Sequence, residues 1–355
     1  MDSTVAYRMS LVLPPQTPGG GGPRYRVSTS GRPATMLRPQ TFWPVDWPAM
    51  RQMYESEQTS QPFPDGYDGK PLALPTETEV AAEEDEYGLA EGVRRMLTVF
   101  PYRDASWVPA MLFVFGTTAI FVASFFKLMP VVDPGSVFPG EAEVALPVTI
   151  AVGAAALISG GGLSILAAFN VNRGPVPVDK AGRPVPGAYH PALLGSREWV
   201  WFPGLAELGA DFLPNLAFRG GFVAWCGGMT LGVAAVSGLP GVLDPKAADF
   251  PRKIDTFILT PLLVGASFIF TGSLMLALAS QDRWYKPAVA SVAWHASFAN
   301  VLAAACLAAS ASLGLFAKPR LLLAATANSL AGVFFLIGAL LQWFVVMKLF
   351  PPNPD

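Results

Sequence analysis

Residues 322–349 read LLAATANSLAGVFFLIGALLQWFVVMKL, with no charged side chain before Lys348. A bilayer core of about 30 Å is crossed by about 20 apolar residues in a helix, so this stretch is long enough to span one. It is apolar on every side rather than along one stripe, which points to lipid surroundings and not to a soluble core. Five runs of the same kind precede it: Trp107–Leu128, Pro147–Phe169, Gly221–Leu239, Phe257–Ala279 and Ser291–Phe316. None holds Asp, Glu, Lys or Arg away from its ends. All are rich in Gly, Ala and Ser, as expected where helices pack closely in lipid. The expected fold is an all-α membrane protein. Its six transmembrane helices form three helical hairpins over residues 101–350, behind a disordered cytosolic N-terminal region, residues 1–100.

The bulk composition agrees. Of 355 residues, 52% are hydrophobic and 14% charged, against about 25% charged in soluble domains. With a net charge of -2 and no Lys/Arg stripe interleaved with aromatics, nucleic-acid binding is excluded. Cys226 and Cys306 both lie in apolar runs and read as small hydrophobes, not a disulfide framework. Two Cys and two His leave too few ligands for a structural zinc site. No metal or cofactor is expected.

Residues 1–40 hold five Arg and one acid among many Pro and Gly. An Arg-rich, acid-poor start resembles an organellar transit peptide. The prolines and Gly19–Pro23 break any amphipathic helix, however, and favour a disordered tail. Residues 41–100 turn acidic, with twelve acids and four bases, and are read as disordered up to a short juxtamembrane helix between Val80 and Phe100. The longest connection, Asn170–Gly220, begins as a Pro/Gly linker. Its second part carries Trp199, Trp201, Phe202, Leu205, Leu208, Phe212 and Leu216 at roughly helical spacing. It reads as an interfacial helix near 199–218, anchored by tryptophans. With the N-terminus inside, the inner segments carry eleven Lys/Arg near the spans and the outer ones six. That bias places both termini in the cytoplasm, in the plasma membrane or an endomembrane rather than an organelle.

The first two hairpins are related. Leu128-Met129-Pro130-Val131-Val132-Asp133-Pro134 precedes Phe138-Pro139, and Leu239-Pro240-Gly241-Val242-Leu243-Asp244-Pro245 precedes Phe250-Pro251. The Asp-Pro pairs read as turns. In each following span two Gly recur seven residues apart, Gly153 and Gly160, then Gly265 and Gly272; the sixth span has Ala331 and Gly338. Seven residues is two helical turns, so each pair shares a face. Close helix contact is the plain reading. The sharper one is that the hairpins surround a shared path.

No catalytic constellation is visible. His190 and His295 are far apart and in no metalloprotease, rhomboid or desaturase pattern, so no catalytic residue is assigned and the chain is not expected to be an enzyme. Intramembrane polar side chains are the default functional candidates. They are Asn300, Asn328, His295 and Gln342. Asn300 and Asn328, counted inward from opposite faces, come out at similar depth, so a hydrogen-bonded amide pair is expected, either structural or substrate-binding. His295 beside Trp294, and Gln342 beside Trp343, read as anchors at the membrane interface.

The segments Ser196-Arg197-Glu198-Trp199-Val200-Trp201-Phe202-Pro203, Arg219-Gly220-Gly221-Phe222 and Ser237-Gly238-Leu239-Pro240-Gly241 resemble a group of uncharacterised fungal multi-pass integral membrane proteins. So do Trp294-His295-Ala296-Ser297-Phe298-Ala299-Asn300 and Leu336-Ile337-Gly338-Ala339-Leu340-Leu341-Gln342-Trp343. The resemblance covers roughly residues 190–345 and implies a multi-pass architecture without implying a mechanism. The expected function is a small-molecule transporter or permease. The alternative is a non-catalytic scaffold whose N-terminal tail recruits protein partners. The lipid bilayer is the one partner both readings require.

Overall fold

The computed structural model describes residues 89–171, 173–174, 191–281, 283–317 and 320–348. The tail read as disordered up to residue 88, and the linker around His190, lie outside the described residues.

The architecture is all-α. A short helix α1 (Leu89–Thr98) precedes six long ones. These are α2 (Trp107–Val132), α3 (Leu146–Asn170), α4 (Leu216–Ser237), α5 (Thr260–Ala279), α6 (Val292–Phe316) and α7 (Leu321–Lys348). All six are long and apolar enough to cross a membrane. The chain is an integral multi-pass membrane protein. The face where α2 begins and α7 ends is called proximal below, the opposite one distal.

α3 and α5 start earlier than the apolar runs, at Glu141 and Phe250. α3 opens on a five-residue π-turn, Glu141–Ala145, and α5 passes through one, Asp255–Leu259, after the helical residues Phe250–Ile254. Each π-turn begins with an acid six residues before a proline, Pro147 or Pro261. A proline ring collides with the carbonyl four residues back, and a widened turn relieves that collision. The repeat seen in the sequence thus extends to backbone geometry. The distal Asp-Pro motifs form matching turns: the Gly135 N–H donates to Asp133 Oδ1 at 3.1 Å, and the Lys246 N–H to Asp244 Oδ1 at 2.9 Å.

Each hairpin zips along its seven-residue spacing. A methyl on Gly153 would lie 3.0 Å from the Gly116 carbonyl oxygen. On Gly272 it would lie 2.5 Å from that of Gly220, and on Gly265 2.8 Å from that of Gly227. Gly338 lies against Asn300, and Ala331 packs with Leu307. The small residues therefore sit at the seams, where only absent side chains let two backbones approach this closely.

Extensive contacts run between consecutive long helices and between α7 and α2. The six helices form a closed ring. The seam between α7 and α2 is made by Gly332 against the backbone of Phe121 and the side chain of Ser124, and by Ser329 Oγ donating to the Ser124 carbonyl at 3.3 Å.

The interfacial helix expected over 199–218 is shorter. Helical turns occupy only Leu205–Glu207 and Leu208–Phe212. Pro203 and Pro214 bracket them, and Asn215 starts α4 by accepting from the Ala217 and Phe218 N–H groups. Phe212 is buried with Phe169 and Phe218, so the segment tucks against the proximal end of the bundle. α1 matches the juxtamembrane helix expected within residues 80–100. Its Gly92 rests on Phe344 of α7, and Arg95 is buried.

Candidate functional site: the inward face of the ring

A side chain two positions from a lipid-facing one points about 200° away, to the opposite side of the helix. In α6 the exposed residues are His295, Phe298, Ala305, Ala309 and Phe316, so Asn300 and Leu307 face inward. In α7 the exposed Thr326, Leu330, Ile337 and Leu340 place Asn328, Phe335 and Gln342 inward, seven residues apart. The same reasoning turns Leu231 of α4 and Leu262 and Ala266 of α5 inward, away from Met229, Val233, Thr260, Val264 and Phe268.

These positions sort by height. At mid-depth, Leu231, Leu262, Leu307 and Phe335 pack with Ala266 and Ala331. Four helices thereby contribute to one apolar layer inside the ring. Proximal to it lie Asn300, against Gly338, and then Gln342 four residues further on. Distal to it lies Asn328, three residues before Ala331.

Sequence reasoning passed over one more residue at the distal level. Lys127 lies two positions from both Phe125 and Met129, which are exposed to lipid, so it too points inward. The apolar run ends near Leu128, which made Lys127 look like a terminal charge. The helix instead continues through Pro130 to Val132, leaving Lys127 about 8 Å inside it. Proline this close to a helix end removes few hydrogen bonds, and the Asp133 N–H still reaches the Met129 carbonyl at 2.8 Å. The signal was in the sequence: the only cation between Trp107 and Val132, flanked at two positions on either side by bulky apolar residues. An intramembrane Lys costs about 3 kcal/mol at a helix centre, less near an end, so its inward placement needs a polar counterpart or internal water.

α2 and α7 run antiparallel, with Ser124 facing Ser329 and Gly332. One turn further toward the distal face, Lys127 and Asn328 come to the same height on neighbouring helices. Asn328 is 8% exposed and makes no hydrogen bond to a described residue. Lys127 has no ion pair to a described residue. The residue is half-buried.

The amide pair expected between Asn300 and Asn328 does not form. Asn300 lies level with Gly338, and Asn328 is ten residues away along α7, about 15 Å. α6 ends at Phe316 and α7 begins at Leu321, so residues equally far from that connection face one another, and counting depth from opposite membrane faces misplaced Asn328. His295 lies on the outer face, its Nδ1 2.8 Å from the Ser291 carbonyl and its ring edge-on to Trp294, where an anchor belongs. Gln342 shares the inward face of α7, so its side chain is not simply part of the aromatic belt around Trp343.

The ends of the ring are held by groups the sequence did not single out. Asn170, 1% exposed, donates from Nδ2 to the Leu166 and Val200 carbonyls, each at 2.8 Å, and accepts from the Val200 N–H at 2.8 Å. Arg173 pairs with Glu207 beneath it. Asp211 nearby is pushed above its ordinary carboxylate value, first by burial and then by Glu207, with Arg173 opposing.

No protein-family model, curated protein or solved structure matches the chain.

Proposed function

We propose that the protein is a permease that passes a small solute through the centre of its six-helix ring. The observation that carries this reading is the vertical order of the inward face: polar side chains on the distal side, an apolar layer, and polar side chains on the proximal side. Inward-facing polar groups within a membrane bundle are costly and mark solute or ion pathways. An apolar layer between two polar levels would hold the path shut until it moves. In this reading the chain is not an enzyme, its termini are cytosolic, and it resides in the plasma membrane or an endomembrane. Membership of the fungal family that residues 190–345 resemble belongs to the same proposal, as does recruitment of partners by the tail as a secondary role.

Reconstitution of the full chain in liposomes, with uptake measured for a panel of labelled acids, amines, sugars and amino acids, tests it. At least one solute should accumulate faster than in empty liposomes. Asn300→Leu should slow that uptake about tenfold, the size expected for losing one polar contact in a desolvated path, without lowering the melting temperature. No uptake of any solute would instead favour the scaffold. Deleting residues 1–88 would then abolish the protein's cellular role, whereas a permease would keep its flux.

A further inference from the structure

We propose that Lys127 and Asn328 form a binding site for a small monocarboxylate, reached from the distal face of the ring. The proposal rests on the permease reading and names its substrate class. Lys127 and Asn328 stand at one height on adjoining helices, both turned inward, with the apolar layer beneath them. Asn328 is more than nine-tenths buried, and its amide has no partner among the described residues. Lys127 is half-buried and makes no ion pair with any described residue. Glu141, buried at a similar height on the second spanning helix, accepts from the Phe138 N–H through Oε2 at 3.3 Å, leaves Oε1 without a hydrogen-bond partner among the described residues, and makes no ion pair with Lys127.

Charge and donor geometry select the ligand. One unpaired cation in an apolar interior is neutralised by one negative charge, whereas a phosphate dianion would leave an excess. A carboxylate offers two acceptor oxygens. One accepts from the ammonium and the other from the Asn328 amide N–H, so both orphaned donors are satisfied at once. A short alkyl tail would then meet Leu231, Leu307 and Phe335, the layer that must part for it to pass. A protonated amine repels the ammonium, and a sugar hydroxyl accepts from it without neutralising its charge.

The test is saturable binding of radiolabelled propionate to the purified full-length protein in detergent. Unlabelled acetate, inorganic phosphate, chloride and tetramethylammonium serve as competitors. Propionate should bind and be displaced by acetate but not by tetramethylammonium. Lys127→Met should weaken binding at least about tenfold while melting no lower than the parent, and Lys127→Arg should retain binding. Should Lys127→Met fail to fold, Asn328→Leu reads the same site: weakened propionate binding supports it and unchanged binding overturns it. Absence of saturable propionate binding, or displacement by phosphate or chloride but not acetate, overturns the monocarboxylate assignment. Liposome flux reports separately. Propionate binding without any flux keeps the site and refutes the permease, while flux of another solute without propionate binding does the reverse.

Discussion

At the scale of the residue, single amides and one ammonium account for most of the chemistry inside this protein. Asn170 ties the end of α3 to Val200 through three hydrogen bonds, and nothing in its sequence setting announced this. An Asn at the end of an apolar run looks like any loop residue, because its partner is a backbone 30 positions away. Replacing it by Leu leaves the Val200 N–H and carbonyl unpaired beside buried Phe169. Leaving such groups unsatisfied costs about 1–3 kcal/mol each, so Asn170→Leu should lower the melting temperature clearly, with Asn170→Asp intermediate. Thermal unfolding followed by tryptophan fluorescence would check this, and an unchanged melting temperature would show the latch to be dispensable. Asn300, Asn328 and Gln342 were legible as candidates because polar residues are rare in these runs. Their directions were not. A helix apolar on every side has no stripe to tell its inward side from its lipid-facing side, and only the packed ring supplies that.

Elements show the same division. The six helices are plain in the sequence because length and hydropathy alone decide them. Their hairpin seams are plain too, because Gly at seven-residue spacing leaves few other uses. The π-turns were not, since they arise where Pro147 and Pro261 meet the preceding turn of their own helices. α1 is held by charge as well as packing. Its Glu91 accepts from Arg94 Nε at 2.7 Å and from Arg95 Nε at 2.9 Å. The hydrogen bond from Arg94 is the largest influence and that from Arg95 the next, and together they bring the Glu91 carboxyl down to about 2 from an ordinary 4.5. The folded value is the lower one, so the contribution of this pair is complete above pH 4.5 and fades as the pH falls through about 2. A carbon-detected NMR titration of Glu91 should find its midpoint near 2, and Arg94→Ala or Arg95→Ala should each move it back toward 4.5. A midpoint near 4.5 in the parent protein would show that the fork is not populated in solution.

For the whole molecule, the ring is the arrangement on which the functional reading depends, and its closure between the first and last long helices can be tested directly. A Cβ at Gly332 would sit 3.6 Å from that of Ser124, within the spacing a disulfide needs, about 3.5–4.5 Å. With Cys226 and Cys306 replaced by Ala, the Ser124→Cys, Gly332→Cys protein should oxidise readily to an internal crosslink. The crosslink would join fragments cut in the connection between α3 and α4, visible as a mobility shift on reducing and non-reducing gels. Failure to crosslink under oxidant would mean that the seam is open and the ring incomplete. If the crosslinked protein still passes solute, the path opens at another seam. The α3–α4 contact, where Trp225 Nε1 donates to the Ile158 carbonyl at 3.1 Å, is the next candidate.

The three hairpins all enter and leave on the same side of the bundle. Transporters built from inverted repeats can face either way by exchanging the conformations of their two halves, because one half is the other turned over. Copies that stand upright together have no such partner state. If solute passes through the ring, its Lys127 end and its Gln342 end open as different structures, and opening one is not the mirror operation of opening the other. Under that reading, release on the two sides follows different motions with different barriers, so a ring of this kind would be a rectifier by construction in its kinetics, although never in its equilibrium.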